Sequence, residues 1–213
     1  MKTNIYVDAF NLYYGSLKQT AYRWLDLAAL AQAILPKHKV GRIRYFTALV
    51  STIPGDGDGA QPQRQQVYIR ALETTANLTV HYGHYLSHER SMPLARPPTN
   101  GPRFATVVKT EEKGSDVNLA TMLLLDAFRN DFEQAVVISN DSDLVLPIQV
   151  VRNELQLPVG VVFPCSRPNR TASVQLRAAA TFTRNIREAT LQKCQFPATL
   201  TDSRGTITKP SKW

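Results

Sequence analysis

The sequence predicts an α/β fold in which helices cover both faces of a doubly wound, mainly parallel sheet. Short apolar runs alternate along the chain with segments whose apolar residues recur at helical spacing. Two of these runs, 135–139 and 159–163, are typical of parallel strands that are buried on both faces. The 213 residues are enough to bury one continuous core.

The first half of the chain is predicted to begin with a strand, after which helices and strands alternate. A short apolar run at residues 5–7 predicts the first strand, which ends at Asp8. Apolar residues at helical spacing predict a helix over 24–35, because Pro36 cannot continue it. The next elements are a strand at 42–50, a Gly-rich loop at 53–62, a helix at 63–76 and a strand at 78–86.

The second half repeats this alternation. Prolines and arginines predict a loop at 87–103. A helix is predicted over 116–129, with Ser115 as the residue that caps its amino end. The remaining elements are strands at 104–109, 135–139 and 159–163 and helices at 144–155 and 173–181. Beyond Cys194 the apolar residues show no strong helical or strand periodicity.

The composition predicts a soluble, cytoplasmic protein that does not associate with a membrane. Residues 4–15 already carry polar side chains and an acid, unlike the apolar core of a signal peptide. No run of about 18 apolar residues occurs, as a membrane-spanning helix would need. The two cysteines, Cys165 and Cys194, form no C-x-x-C pair, so we expect reduced thiols without a zinc site or disulfide framework.

The net charge of +8 is concentrated in the last quarter of the chain. Residues 1–160 carry 16 Lys and Arg against 15 Asp and Glu, whereas residues 161–213 carry 9 against 2. A one-sided basic surface is typical of proteins that bind polyanions, although a basic surface without a ligand has the same composition. We predict one domain at 1–190 and a basic tail at 191–213.

Four aspartates are predicted to meet at one edge of the sheet. Asp8 ends the first strand, Asp141 and Asp143 follow the strand at 135–139, and Asp116 lies where a loop enters a helix. Ligands of open parallel sheets bind beyond the carboxyl ends of the strands. Each aspartate alone could instead cap a helix or close a turn. Their convergence from three distant segments favours a functional cluster.

Such a cluster predicts a bound cation. Two unit charges about 4 Å apart repel by several kcal/mol at an effective dielectric constant of roughly 20. Either the pKa values of the carboxylates rise or a cation neutralises the group. An all-oxygen site with few histidines suits Mg²⁺ or Mn²⁺, which can promote phosphodiester hydrolysis.

Polar neighbours of the acids are expected to support them. Asn11, three residues beyond Asp8, is a candidate to orient that carboxylate or a water molecule, or to cap a helix. Ser139 and Asn140 are candidates for further hydrogen bonds to the cluster. Asp126 lies ten residues along the helix from Asp116, about 15 Å away, so we leave it outside the site.

Interleaved aromatic and basic residues near the first acid are candidates for contacts with a nucleic-acid strand. Tyr14, Lys18 and Arg23 show this pattern, which can stack bases and clamp phosphates, although half of such residues fit a core equally well. The further candidates for substrate contacts are Lys113, Ser139, Asn140, Arg167 and Arg170. His81 and His84 fall on opposite faces of the strand predicted at 78–86, which disfavours a shared zinc ion.

Three motifs carry a resemblance to a known family. They are YVDAFNLYYG at 6–15, KTEEKGSDVNLA at 109–120 and VVISNDSDLVLPIQVVRNEL at 136–155. In this order and spacing they resemble the NYN domain family of the PIN-like nuclease superfamily. The ending QFPATLTDSRGTITKPSKW resembles that of one NYN subgroup. The resemblance therefore covers nearly the whole chain, and it implies a PIN-like, Rossmannoid three-layer sandwich.

The resemblance also implies a function. Asp8, Asp116, Asp141 and Asp143 take the places of the family's metal-binding acids, and Asn11 takes the place of their polar partner. The implied activity is Mg²⁺- or Mn²⁺-dependent endonucleolytic hydrolysis of RNA that leaves 5′-phosphate and 3′-hydroxyl ends. Members of the wider superfamily act as toxins or RNA-processing enzymes. A homodimer and an antitoxin or regulatory partner are therefore both compatible with the sequence.

Two other functions remain open. One branch of NYN-like proteins, whose opening resembles NLYYGSLKQTAYRWLDL at 11–27, is associated with hydroxylation of a pyridine ring. No G-x-G-x-x-G or G-x-x-x-x-G-K-[ST] motif follows a strand, so the sequence gives no local support for a bound nucleotide cofactor. A catalytically inactive RNA-binding module is the third hypothesis, and the complete set of acids argues against it.

Overall fold

A computed structural model describes residues 1–51, 59–164 and 171–213. The strands of this part are β1 (Lys2–Asp8), β2 (Lys39–Thr47), β3 (Leu78–Tyr82), β4 (His84–Pro93), β5 (Phe104–Lys113), β6 (Gln134–Ile138), β7 (Val159–Phe163), β8 (Phe182–Asn185), β9 (Thr199–Asp202) and β10 (Gly205–Thr208). The α-helices are α1 (Ala9–Leu12), α2 (Leu27–Ile34), α3 (Gln61–Leu72), α4 (Ser115–Phe128), α5 (Val145–Gln149), α6 (Val174–Ala179) and α7 (Glu188–Lys193). A π-helical turn (Tyr13–Leu17) continues α1, and a 3₁₀ turn (Ser142–Leu144) and a second π-helical turn (Val150–Glu154) flank α5.

The main sheet confirms the predicted fold class. Its six strands lie in the order β3-β2-β1-β6-β7-β8 and are parallel at every pairing. The chain moves outward from β1 to β3 and then returns to form β6 on the other side of β1. A reversal of this kind opens a crevice at the carboxyl ends of the two central strands. Asp8 ends β1 at this crevice, and Asp141 follows β6.

The side chains of β1 enter two apolar clusters on opposite faces of the sheet. Ile5 and Val7 pack in one cluster with residues of α2, α3 and α7. Tyr6, which lies between them, packs in the other with residues of α4, α5 and α6. This alternation follows from strand geometry, in which successive side chains point to opposite faces. Helices therefore cover both faces, as predicted for a three-layer sandwich.

A two-stranded antiparallel arm takes up residues 87–93 of the segment that was predicted as a loop at 87–103. β4 runs to Pro93 and pairs along its length with β5. For residues 87–93 the prediction was wrong, because an exposed hairpin buries few side chains and therefore shows little apolar alternation. The connection between the two strands is residues 94–103.

The prediction that His81 and His84 share one strand is also wrong. His81 belongs to β3 and stacks on Phe46 with ring centroids 4.8 Å apart, whereas His84 opens β4. Gly83 lies between them, where a Cβ atom would stand 2.5 Å from the Lys113 carbonyl oxygen. The chain can therefore turn this closely past the end of β5 only at a glycine.

The segment after Cys194 packs on the domain through a short hairpin that the sequence did not predict. β9 and β10 pair in antiparallel fashion, and Ile207 of β10 is buried in the same cluster as α2 and α3. Arg70 of α3 donates from Nε and Nη2 to the two carboxylate oxygens of Asp202. β9 and β10, like the equally unpredicted β8, are only four residues long, too short for a recognisable alternation. The boundary at residue 190 stays a prediction.

The other predicted helices and strands are present with shifted ends. α2 begins at Leu27 and not at Trp24, because the Asp26 carboxylate accepts hydrogen bonds of 2.8 and 3.1 Å from the next turn's amides and caps the helix there. No helix in the described ranges is long and apolar enough to span a membrane. Residues 53–58 of the predicted Gly-rich loop lie outside the described residues, as do Cys165, Arg167 and Arg170.

Candidate active site

Asp8 occupies the carboxyl end of β1 and is held by three hydrogen bonds. Its Oδ1 accepts from the Asn11 amide at 2.9 Å, and its Oδ2 accepts from Asn11 Nδ2 at 2.7 Å. Ser139 Oγ donates to the same Oδ2 at 2.8 Å. The carboxylate is only 3% exposed. Asn11 therefore orients Asp8, which was one of the predicted alternatives; the residue that caps the helix is Asp8 and not Asn11.

Asp141 reaches the same crevice from the end of β6. Its amide donates to Ser139 Oγ at 3.0 Å, and its Oδ1 accepts from the Asp143 amide at 3.0 Å. Ser139 thus bridges the ends of the two central strands. Its hydroxyl is fully buried, so the prediction that Ser139 contacts the substrate is wrong, and its role is to hold the acids.

Asp116 enters from the first turn of α4. The turn before it passes through Gly114 at φ +93°, a conformation that favours glycine. Ser115 does not cap the helix as predicted. The Glu112 carboxylate accepts from the Ser115 amide at 3.0 Å and satisfies that helix end instead.

The electrostatics show that these acids share one region. Burial, and after it the negative charges of the neighbouring acids, together raise the pKa of Asp116 from 3.8 to about 7. Those neighbours are Asp8, Asp141, Glu112 and Asp143. Burial also raises the pKa of Asp8, against the opposing effect of its hydrogen bonds from Asn11 and Ser139. The predicted convergence of four aspartates is therefore present, with Glu112 as a fifth acid.

Glu112 is the acid that the sequence reasoning missed. It lies within the motif at 109–120, but the strand there was predicted to end at residue 109. In the structure β5 continues to Lys113 and carries Glu112 to the edge of the cluster. The position of Glu112 three residues before a helix start was the available signal, because an acid there can accept from the first helical amides.

The chemistry of the cluster suits a hard cation. Every charged donor is a carboxylate, and the raised pKa of Asp116 means that a positive charge there would be stabilised. Among the described residues, no three Asp, Glu, His or Cys side chains already stand in the arrangement of a metal site. Binding of a cation would therefore include a rearrangement of these carboxylates.

Asp126 is outside the cluster, as predicted. Its carboxylate is buried and accepts from Arg44 Nε and Nη2, each at 2.7 Å. The Tyr6 hydroxyl donates to it at the same distance. All of its strong contacts join α4 to the central strands, so Asp126 is a structural group.

A cavity of about 510 Å³ is lined by residues of α1 and the π-helical turn, beginning with Ala9, the residue after Asp8. Three of the predicted substrate contacts, Tyr14, Lys18 and Arg23, line it. Lys18 Nζ lies 4.8 Å from the centre of the Tyr14 ring. Gly15 allows the turn to approach β7, because a Cβ atom there would stand 2.0 Å from the Pro164 carbonyl oxygen.

The other predicted substrate contacts lie elsewhere. Lys113 forms an ion pair of 3.3 Å with Glu111 on the arm. Asn140 accepts from the Ser173 amide at 2.7 Å and donates to the Thr171 carbonyl at 3.1 Å, so its amide connects the crevice to the start of α6. Arg167 and Arg170 are outside the described residues.

This chain is similar to a known family, a curated protein and a solved structure. The family model described as the NYN domain matches residues 2–186. The chain is 33% identical to 6-hydroxy-3-succinoylpyridine 3-monooxygenase HspA of Pseudomonas putida over 237 aligned residues, covering 100% of this chain and 75% of that protein. A solved structure of a protein of unknown function from Vibrio parahaemolyticus has a TM-score of 0.55 at 18% identity, covering 88% of this chain and 93% of that one. The latter likeness shows the α/β fold alone.

Proposed function

This chain belongs to the NYN domain family, and from that premise we propose that it is a metal-dependent endoribonuclease. The substrate is RNA, and the reaction is hydrolysis of a phosphodiester bond at Asp8, Asp116, Asp141 and Asp143. One observation carries the proposal: acids from three separate segments raise the pKa of Asp116 together at the crevice of a parallel sheet. Structural carboxylates are normally paired with cations, as Asp126 is with Arg44.

The carboxylates have distinct tasks in this proposal. Asp8 is held in one orientation by Asn11 and Ser139, so it is the fixed member of the group. Asp116, whose pKa is raised to about 7, would in its ionised form help to hold Mg²⁺ or Mn²⁺. When bound, such a cation supplies Lewis-acid stabilisation of the negative charge that develops on the phosphate oxygens. A water molecule attacks the phosphorus, the P–O3′ bond breaks and O3′ takes up a proton, which leaves a 5′-phosphate and a 3′-hydroxyl.

Basic side chains beside the cluster would hold the RNA backbone. Lys18 and Arg23 line the cavity next to Asp8. Further positive charge comes from the last quarter of the chain, in which nine Lys and Arg stand against two acids. These contacts are independent of base sequence, so binding should weaken as the salt concentration rises.

The test is cleavage of end-labelled single-stranded RNA with Mn²⁺, with excess EDTA, and by Asp8→Asn with Mn²⁺. We expect internal cuts with Mn²⁺ alone, and products that a 5′-phosphate-dependent exonuclease can degrade. Intact RNA after incubation with folded protein and Mn²⁺, across several unrelated sequences, would contradict the proposal.

A second candidate function rests on the likeness to HspA, which covers this whole chain. In that case the chain would introduce one oxygen atom of O₂ into a hydroxypyridine ring, and the other atom would be reduced to water by a two-electron donor such as NADH. The aromatic walls of the cavity would suit such a ring. Consumption of NADH that depends on both O₂ and 6-hydroxy-3-succinoylpyridine would favour this function over RNA cleavage.

A further inference from the structure

The cavity beside Asp8 has three aromatic walls from distant parts of the chain. Tyr14 comes from the π-helical turn, Tyr85 from the arm, and Trp213 from the last described segment. Tyr45 of β2 and Tyr68 of α3 form the floor, with their rings edge to face at 6.3 Å. A volume of about 510 Å³ is within the range of sites for small ligands, and aromatic walls favour a flat ring.

The aromatic walls are fixed by contacts with each other. Tyr85 packs edge to face on Phe10 at 6.0 Å, which ties the arm to α1. Trp213 contacts the Tyr68 ring at 5.3 Å and the Trp24 ring at 6.4 Å. A ring that enters this cavity would meet preformed aromatic surfaces. Few side chains would have to be ordered on binding, so the entropy cost would be small.

The charged side chains that line the cavity are all cationic. They are Lys18, Arg23 and Arg64, and the described lining includes no Asp or Glu side chain. Arg23 is positioned by hydrogen bonds from Nε to the Thr20 carbonyl and from Nη2 to the Lys212 carbonyl. A flat ligand with an anionic group would be bound by both the walls and the charges.

The lining of the cavity includes residues that adjoin Asp8 in the sequence and on the sheet. Ala9 and Phe10, which line it, directly follow Asp8. Val7 and Asp8 of β1 pair with Tyr45 and Phe46 of β2, so the floor and the acid lie on adjacent strands. The Asp8 charge contributes to the raised pKa of Tyr45, after burial. The floor of the cavity therefore adjoins the strand that ends in Asp8.

We propose that this cavity is a binding site for a flat aromatic ring that carries an anionic group, held between Tyr14 and Trp213 with its anion near Lys18 and Arg23. Two sources share this chemistry: a nucleotide of RNA and a free aromatic acid. If the chain cuts RNA as proposed above, the ring is a base next to the bond that breaks. Only this choice of source rests on the proposed function.

The test measures binding by calorimetry in EDTA, which separates the cavity from any cation at the cluster. The probes are adenosine monophosphate, a hydroxypyridine carboxylate, and ribose phosphate as an anion without an aromatic ring. We expect at least one aromatic anion to bind, and ribose phosphate to bind at least about tenfold more weakly because it cannot stack. Tighter binding of the nucleotide identifies RNA as the source, and tighter binding of the pyridine identifies a free acid.

Two variants of residues that line the cavity test whether the ligand binds there. Tyr14→Ala should weaken it roughly five- to 150-fold, the range for loss of one stacking partner. Lys18→Gln should weaken it about fivefold through loss of the charge. Tyr82→Ala is the matched control, because Tyr82 is 46% exposed against 41% for Tyr14 and does not line the cavity. Lys193→Gln is the control for Lys18→Gln.

The outcomes separate this inference from the proposed function. Failure of both aromatic anions to bind, or binding that Tyr14→Ala and Lys18→Gln leave unchanged, would overturn the cavity assignment even if RNA is cut. Binding by the wild-type protein, if that protein cuts no RNA in Mn²⁺, would support the cavity and contradict the nuclease.

Discussion

The buried Ser139 hydroxyl donates a hydrogen bond of 2.8 Å to Oδ2 of Asp8 and so joins the carboxyl ends of the two central strands. Ser139 Oγ in turn accepts a hydrogen bond of 3.0 Å from the Asp141 amide. One small side chain therefore sets the spacing of two acids that lie 133 positions apart in the sequence. This relationship makes Ser139 a positioning residue for the cluster.

Ser139→Ala should lower the rate of cleavage strongly and the stability of the fold only moderately. Loss of a hydrogen bond to a charged, buried group should lower the free energy of unfolding by about 1.5–3 kcal/mol. Cleavage should fall about 10- to 100-fold, the usual range for a group that orients a metal ligand. Urea unfolding and cleavage rates check this prediction. Ser87→Ala, which removes an exposed hydroxyl pair with Thr110, should change stability by less than about 0.5 kcal/mol.

Metal-free protein should be stabilised by Asp116→Asn at high pH. Because its pKa is raised from 3.8 to about 7, the folded state holds the Asp116 proton more tightly than the unfolded chain does. The free energy of unfolding therefore falls as the pH rises from 3.8 to about 7 and stays low above that value. Asparagine cannot ionise, so Tm should rise at about pH 8 and should change little near pH 4.

Asp131→Asn is the control, because it should change Tm in the opposite direction. Burial alone would raise the pKa of Asp131, but hydrogen bonds from Lys2 and Arg42 outweigh it and hold the pKa lowered. Loss of this charge should lower Tm at neutral pH and should matter less in acid, where the carboxyl is protonated in both states. Equal shifts of Tm for Asp116→Asn and Asp131→Asn across the pH range would contradict the claim that burial and neighbouring negative charges raise the pKa of Asp116.

Mg²⁺ or Mn²⁺ should stabilise the folded protein by mass action. At about 100 times the dissociation constant, the free energy of unfolding rises by about 2.7 kcal/mol. For a domain of this size that corresponds to a rise of roughly 5–10 °C in Tm. Asp141→Asn should reduce the response, whereas Glu133→Gln, an acid outside the cluster, should keep it. A Tm that is independent of millimolar cation would count against the site.

Gly15→Ala should destabilise the π-helical turn. The added Cβ would stand 2.0 Å from the Pro164 carbonyl oxygen, so either the turn or the end of β7 must shift. Overpacking of this kind costs about 1–3 kcal/mol or more. Gly59→Ala is the matched control, since a Cβ atom there meets nothing within 4 Å. Equal urea midpoints for the two variants would show that the turn relaxes freely.

The sequence was sufficient to predict the fold class and the four aspartates, because both depend on local patterns. Buried parallel strands such as 135–139 are apolar throughout, and the acids that follow strands must meet at one edge. Glu112 was missed because the predicted strand ended before it. The arm, β8 and the last hairpin were missed because exposed or four-residue strands have no clear alternation.

The cavity could be predicted only in part. Tyr14, Lys18 and Arg23 were identified because they are close together in the sequence and near Asp8. Tyr68 and Trp213 were not, since their approach depends on tertiary packing of α3 and the last segment against each other. No pattern of apolar residues encodes a contact between segments this far apart.

The most direct test of the central claim is the rate of RNA cleavage by Asp8→Asn and Asp141→Asn, beside Glu133→Gln, in Mn²⁺ and at equal folded fraction by circular dichroism. We expect each aspartate variant to lose at least about 100-fold in rate, since loss of a metal ligand should exceed the effect of losing a residue that orients one. Glu133→Gln should cut at the wild-type rate. Cleavage that persists unchanged in both aspartate variants, or that continues in EDTA, would contradict the assignment of a metal-dependent ribonuclease to this cluster.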